Sequence, residues 1–290
     1  MGMSTSLDFS KLHGCGNDFI VINAIDDKVR TRLSTIHLAE FAQKICDRNF
    51  GIGADGLILV LPSKTETCRM QIINSDGSEP EMCGNGIRCL AKFVHDQGII
   101  SDVSFSVETL AGPIKPTIVQ NEGSIAMVKV DMGPPILERS EIPVAGDGKG
   151  SVVNETISVL DQDFQFTSVS MGNPHAVVFI EDLDALAFEN LGPAFESHDV
   201  FPEKVNTEFV QVHSASHAVM KVWERGAGPT LACGTGACAI LVAGVLTERL
   251  NRQATITLPG GDLEIEWQNN ADSVMMTGPA QQVFSGIYTF

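Results

Sequence analysis

Met82-Cys83-Gly84-Asn85-Gly86 returns about 150 residues later as Ala232-Cys233-Gly234-Thr235-Gly236. Each glycine-rich turn leads into an apolar stretch with helical spacing. After Cys83 the buried stripe is Ile87, Leu90, Ala91 and Val94, with Gly98 placed as a C′ residue. After Cys233 it is Ala237, Ile240, Leu241, Gly244 and Val245. Other landmarks repeat in the same order. Asn74 precedes Cys83 by nine residues, and Glu224 precedes Cys233 by nine. Asn17 lies 66 residues before Cys83, and Asn173 lies 60 before Cys233. Gly112 follows Cys83 by 29, and Gly261 follows Cys233 by 28. Such ordered repetition predicts two similar domains. The expected division is 1–131 plus 279–290 against 132–278, with the join near Asp131 to Pro135. The tail Gln281 to Phe290 is expected to return as a strand to the first domain.

Working outward, the pattern is mixed α and β. Phe19 to Asn23 reads as a strand after the turn at Gly14 and Gly16. Leu38, Phe41, Ala42 and Ile45 predict a helix with Ser34 as its N-cap, ended by Gly51 and Gly53. Strands are expected at Leu57–Leu61, Arg69–Asn74, Val103–Thr109, Ile114–Val119 and Val128–Met132. In the second half they are expected before and after the turn at Gly172-Asn173, and at Val219–Glu224, Ala254–Leu258 and Leu263–Trp267.

Composition narrows the function. Of 290 residues, 43% are hydrophobic, enough to build packed cores. The formal net charge of -17 argues against a nucleic-acid or anionic membrane partner, both of which select a basic face. The longest apolar run, Ala237 to Leu246, is half of the roughly 20 residues a membrane span needs. Met1 to Lys11 has neither a basic region nor an apolar signal core, and the odd count of seven cysteines does not suit a disulfide framework. A cytoplasmic protein is expected. Gly2 with Ser6 fits a short myristoylation pattern, which arises readily by chance. Neither Cys-x-x-Cys pairs nor zinc-type histidine spacings occur, so no metal is expected. No nucleotide-binding glycine fingerprint is present.

The repeated turns point to chemistry. The start of a helix offers unpaired N–H groups and partial positive charge. A cysteine there is expected to have its pKa lowered from about 8.5 toward neutrality. The same N–H groups make an anion site. Two such turns around one ligand could hold a carboxylate between them. One thiolate could then take a proton from the adjacent carbon while one thiol returned a proton to the other face. Hydrogen bonds to the carboxylate would stabilise the charge that develops, and thiols of intermediate pKa suit the proton transfers. Cys15, Cys46, Cys68, Cys89 and Cys238 are read as structural, with Cys15 the least settled because it sits in a glycine turn beside Asn17.

Six stretches carry a family resemblance: His13-Gly14-Cys15-Gly16-Asn17-Asp18-Phe19, Asn74 to Ser78, Met82 to Gly86, Gly172-Asn173-Pro174-His175, Glu224 to Gly228, and Ala232 to Gly236. Together they resemble the diaminopimelate epimerases, in order from about residue 9 to the C-terminus. The resemblance implies an α+β fold of two pseudo-symmetric domains, each a mostly antiparallel β-barrel around a central helix. It implies interconversion of LL- and meso-diaminopimelate, without metal or organic cofactor, by a homodimer. It implies Cys83 and Cys233 as the acid/base pair, with His175 and Glu224 tuning the thiols. Gly84, Asn85, Gly234 and Thr235 would hold the α-carboxylate at the reacting centre. Asn17, Asn74, Asn173, Asn206, Glu224 and Arg225 would read the remaining polar groups. Two departures stand out: some members carry Gln at the place of Gly56, and Cys15 occupies a position often apolar. Proline racemases and hydroxyproline epimerases also use paired cysteines in such turns, but the Gly-Asn-Asp-Phe and Gly-Asn-Pro-His segments disfavour them. Phenazine-biosynthesis isomerases would lack the pair, and an amino-acid-binding protein would have no use for it.

Overall fold

A computed structural model describes residues 6–123, 125–146 and 148–290, the side chains of residues 121 and 122 apart. The Gly2 pattern lies outside the described residues. The chain forms two compact units, one ending at Val130 and joined by Gly278–Phe290, the other Asp131–Thr277.

In the first unit, β1 (Ser6–Gly14) turns into β2 (Asn17–Asn23). Helices α1 (Asp27–Leu33) and α2 (Leu38–Cys46) lead to β3 (Gly56–Leu61) and β4 (Cys68–Asn74). Helix α3 (Gly84–Asp96) precedes β5 (Val107–Thr109), β6 (Gly112–Ile114), β7 (Thr117–Glu122) and β8 (Ile125–Asp131). From β1 to β6 each strand pairs with the next, antiparallel except for parallel β2/β3 and β4/β5.

The second unit repeats that order. Strand β9 (Glu155–Val159) leads to β10 (Gln162–Ser170) and β11 (Pro174–Phe179). Helix α4 (Phe188–Glu196) precedes β12 (Asn206–Ser214), β13 (His217–Glu224) and the short β14 (Gly228–Pro229). Helix α5 (Gly234–Leu246) precedes β15 (Gln253–Leu258), β16 (Gly261–Glu266) and β17 (Met275–Thr289). The pairs β10/β11, β12/β13 and β15/β16 are antiparallel, while β11/β12 and β13/β15 are parallel. Residues Gln281 to Thr289 of β17 pair with β1.

In each unit several strands, among them β2, β3, β11 and β12, bury both faces. Their inner faces pack on the central helix: α3 meets β1, β2, β3, β4 and β7, and α5 meets β10, β11, β12, β15 and β16. Their outer faces form a second core with α2 through Phe41 and Ile45, or with α4 through Leu191 and Phe195. Strands enclosed this way read as continuous apolar runs, as Gly56–Leu61 does. The central helices are enclosed on every side. Residues Asn85 to Val94 and Gly236 to Gly244 are all buried, so the single apolar stripe expected for each helix understates its burial. Val245, placed on the buried face of α5, is only half-buried.

Several local expectations are corrected. Ser34 ends α1 as its C-cap, while His37 precedes α2 without a side-chain cap bond. The short α1 had no apolar periodicity to reveal it. It starts instead on polar capping, Asp26 accepting from the Lys28 N–H. The strand expected from Val103 is regular only over Val107–Thr109, with an isolated bridge at Ser104. The strand expected over Ile114–Val119 breaks at Pro116, which has no N–H to donate to a ladder.

Candidate active site

The first unit sets Cys83 as the N-cap of α3. Its sulfur accepts the Gly86 N–H at 3.4 Å. A side chain at Gly86 would be tight: a Cβ would meet Ile58 Cδ1 at 3.2 Å and Ile72 Cδ1 at 3.3 Å. Around the half-buried sulfur runs a chain of amides. Asn17 Oδ1 accepts from the Cys83 thiol at 3.8 Å and from Asn85 Nδ2 at 3.1 Å. Arg88, fully buried, donates to Asn85 Oδ1 at 2.9 Å, to Gly84 O and to Pro279 O. At the other end Asn17 Nδ2 donates to Asp55 Oδ2 at 2.8 Å. A guanidinium and a carboxylate therefore hold the two amides in one orientation each. Arg48 bridges Asp55 and Asp18. Burial alone would raise the Asp18 carboxyl, but Arg48 and Lys11 hold it at about 2. Asn74, at the end of β4, donates to Ser78 Oγ at 2.9 Å.

The second unit sets Cys233 as the N-cap of α5, its sulfur accepting the Gly236 N–H at 3.4 Å and lying 3.5 Å from Thr235 Oγ1. A Cβ on Gly236 would meet Glu208 Oε1 at 2.6 Å, so glycine is required by close approach. Cys233 is buried, and Glu224, whose charge acts on it, accepts from Thr230. Asn206 is held by backbone alone: Nδ2 donates to Pro174 O at 2.8 Å, and Oδ1 accepts from the Arg225 N–H at 2.9 Å. The Arg225 side chain is exposed and donates to Glu203 O. His175 Nδ1 lies 2.7 Å from Glu208 Oε1, and its Nε2 lies 3.0 Å from Asn173 Oδ1.

The expectation of a lowered thiol pKa does not hold for Cys233. Burial, reinforced by the carboxylates of Glu224 and Glu208, pushes its thiol well above the ordinary value. The helix N-terminus and Thr235 pull the other way and are outweighed. Burial likewise raises the carboxyls of Glu224 and Glu208. Proton acceptance by this thiol therefore competes with two neighbouring carboxylates, and its resting form is the thiol. The cysteines read as structural are buried: Cys15, Cys46, Cys68, Cys89 and Cys238. Burial pushes Cys46 and Cys68 up to about 12 and Cys89 higher still. Cys15 occupies the β1–β2 turn with φ 52°.

The sulfur of Cys233, a nitrogen of His175 and an oxygen of Glu208 lie within 4.8 Å of one another. Ligands of one tetrahedral zinc sit about 3.3 Å apart, given bonds of about 2.0 Å. The 2.7 Å between His175 and Glu208 is instead the spacing of a shared proton.

Strand register makes the two half-sites comparable. Phe19 stands opposite Gly56 and Gly56 opposite Asn74; His175 stands opposite Asn206, and Glu224 ends β13 where Asn74 ends β4. Phe19 thus corresponds to His175, Gly56 to Asn206, and Ile58 to Glu208. A Gln side chain at Gly56 would start 3.0 Å from Ile73 O and 3.4 Å from Phe19. Sequence reading missed Glu208 and Arg88. The available signal for Glu208 was parity: in a strand it shares a face with Asn206, two residues before it.

Comparison with known proteins follows the same outline. The family model described as diaminopimelate epimerase matches residues 9–138 and 167–283. A diaminopimelate epimerase of Acaryochloris marina is 53% identical over 287 residues, covering 97% of this chain and 98% of that one. Another, of Moorella thermoacetica, is 52% identical over 280 residues, covering 97% and 98%. Among solved structures, a PhzF-family phenazine biosynthesis protein of Bacillus anthracis superposes with a TM-score of 0.68 at 15% identity, covering 98% of this chain and 99% of that one. A hydroxyproline epimerase of Agrobacterium vitis gives 0.66 at 14%, covering 98% and 93%. These two share the fold, whereas the sequence relatives match nearly end to end at about half identity, and on that ground the chain belongs to the diaminopimelate epimerase family.

Proposed function

We propose that this chain is an isomerase that interconverts LL- and meso-2,6-diaminopimelate by two-base proton transfer, with Cys83 and Cys233 as the bases and no cofactor, in lysine and peptidoglycan biosynthesis. One observation carries the reading. Two units of the same strand order each place a cysteine sulfur at a helix N-cap, 3.4 Å from the second glycine of a Cys-Gly-x-Gly turn, with amides held in fixed orientation beside Cys83 and carboxylates around Cys233. The mechanism asks both sulfurs to address one carbon from opposite faces. One thiolate removes the α-hydrogen as a proton, leaving its electron pair on carbon and, by delocalisation, on the carboxylate. The other thiol then gives its proton to the opposite face, and each sulfur ends in the form the other began in. Gly84, Asn85, Gly234 and Thr235 at the two helix starts hold that carboxylate and stabilise the charge it gains. Asn17, Asn74, Asn173, Asn206, Glu224 and Arg225 read the remaining polar groups, including those of the distal amino-acid end. Glu224 takes the Cys233 proton when that sulfur must act as base, and His175 acts through Asn173.

The same reading includes a mostly antiparallel barrel around each central helix, supported by strands that meet α3 and α5 from several sides. It also includes a cytoplasmic homodimer. Among the described residues no helix is long and apolar enough to cross a membrane. The test is incubation of LL-diaminopimelate in heavy water without added cofactor. α-Hydrogen exchange and appearance of the meso isomer are expected, with no exchange on proline. Exchange on neither substrate would point to an amino-acid-binding protein instead.

A further inference from the structure

The turn that carries Arg225 is exposed and supplies little of its own support. Arg225, Gly226 and Ala227 all face solvent, between the last residue of β13 and the short β14. The corresponding turn of the first unit contains its own acceptor. Two residues after Asn74 stands Asp76, whose Oδ1 accepts the Ser78 N–H at 2.8 Å and the Ser78 hydroxyl at 2.6 Å. Two residues after Glu224 stands Gly226, which has no side chain to offer.

The acceptor for the second turn comes from α4. Glu196, the last residue of that helix, accepts the Gly226 N–H at 3.1 Å and the Lys204 ammonium at 3.2 Å on Oε1, and the Trp223 indole N–H at 2.9 Å on Oε2. A backbone amide, an ammonium and an indole can only donate, so the half-buried group receives all three as a carboxylate. Burial alone would raise its carboxyl, but Trp223, Lys204 and Gly226 hold it below the ordinary value. The helix itself gains nothing from this charge, which lies at its partially negative end. Gly192, inside α4, lets the helix close on the Trp223 ring, where a Cβ would stand 2.4 Å from it. Trp223 and Gly226 bracket Glu224 and Arg225. Glu224 belongs to β13 and is kept in place by pairing with Gly228 and by Thr230. Arg225 lies beyond the strand, its N–H bound to Asn206 Oδ1 and its guanidinium to Glu203 O.

We infer that Glu196 is a positioning residue: it grips the Trp223 indole and the Gly226 N–H together, and so holds the turn that presents Arg225 to the substrate. The substrate rests on the epimerase reading, but the grip is measurable without one. In ¹H–¹⁵N spectra of the whole protein, the Gly226 amide is expected to exchange with heavy water about tenfold or more slowly than in Glu196→Ala. The Trp223 indole resonance should move in that variant while that of Trp267, bound to Asp272 O, stays. Equal exchange rates overturn the inference. In kinetics, Glu196→Ala is expected to raise KM for diaminopimelate on the order of 10- to 100-fold, the usual scale for losing an orienting partner. Its kcat should change by less than about threefold, because the turn serves binding and Glu224 keeps its strand. Lys204→Ala removes only an exposed ion pair and is expected to leave both constants within about twofold of native. A Lys204→Ala variant as impaired as Glu196→Ala would assign the effect to charge pairing and overturn the grip. A Glu196→Ala variant that folds and keeps its KM, with or without a loss of kcat, refutes the role. If it does not fold, Glu196→Gln, whose single carbonyl cannot serve all three donors, takes its place, and a native KM there is equally decisive. A native protein that exchanges no substrate hydrogen defeats the epimerase reading alone, and the Gly226 amide still decides the grip.

Discussion

The two half-sites use one backbone plan and opposite electrostatics. Beneath Cys83 the strands supply Phe19 and Ile58, and the polar work falls to a chain from Arg88 through Asn85 and Asn17 to Asp55. Beneath Cys233 they supply His175 and Glu208, with Glu224 beside the sulfur. One thiol sits half-buried among amides ordered by a cation, the other buried among carboxylates. Duplication thus preserved what the helix start provides and changed what surrounds it.

The sharpest way to break this comparison is to remove either sulfur. Cys83→Ala and Cys233→Ala are each expected to cut epimerisation by about 10²–10⁴-fold or more, the usual worth of a positioned acid or base. Chiral chromatography of the products reads the loss, and circular dichroism checks the fold. A single variant with native activity refutes the two-base scheme. Next, Glu224→Gln removes the proposed acceptor of the Cys233 proton. We expect a loss on the order of 100-fold and an activity profile shifted to lower pH, since the Glu224 carboxylate is, after burial, the main group that raises the Cys233 thiol. An unshifted profile assigns Glu224 to binding alone.

A third change imposes the first unit's solution on the second. His175→Phe with Glu208→Ile should raise stability at pH 7 by about 1–4 kcal/mol, because a desolvated couple gives way to apolar packing. Urea denaturation measures it, and a destabilised variant would show that the second unit is built around its charges. Last, Asp18 ties down the amide chain of the first unit. Its folded pKa is about 2 against 3.8 when free. The linkage stabilises the fold above pH 3.8 and is lost as pH falls toward 2, amounting to about 2 kcal/mol. Asp18→Asn should lower stability at pH 7 by that amount and flatten the decline below pH 4. A decline equally steep in the variant places the acid sensitivity elsewhere.

Spacing made the repeat legible. Cys83 and Cys233 cap equivalent helices because each stands before a Gly-x-Gly whose second glycine lets the helix start press on strands beneath it. The enclosed burial of α5 was not legible, because an apolar stripe cannot report how many strands surround a helix. Nor was the state of Cys233. A helix start lowers a thiol pKa, and that is a local effect visible in sequence. Burial and the approach of Glu208 from a strand 25 residues earlier reverse it, and both arise only on folding.

By itself the sequence determined the duplicated α+β order, the two cysteines at helix starts, the amide-rich turns and the family, since these depend on residue type and on distance along the chain. Only the tertiary structure decided which thiol is surrounded by carboxylates, that Arg88 orders one amide chain, and that Glu208 lies under Gly236. Electrostatic surroundings are set by groups brought close through strand pairing, and their effect grows as water is excluded from between them.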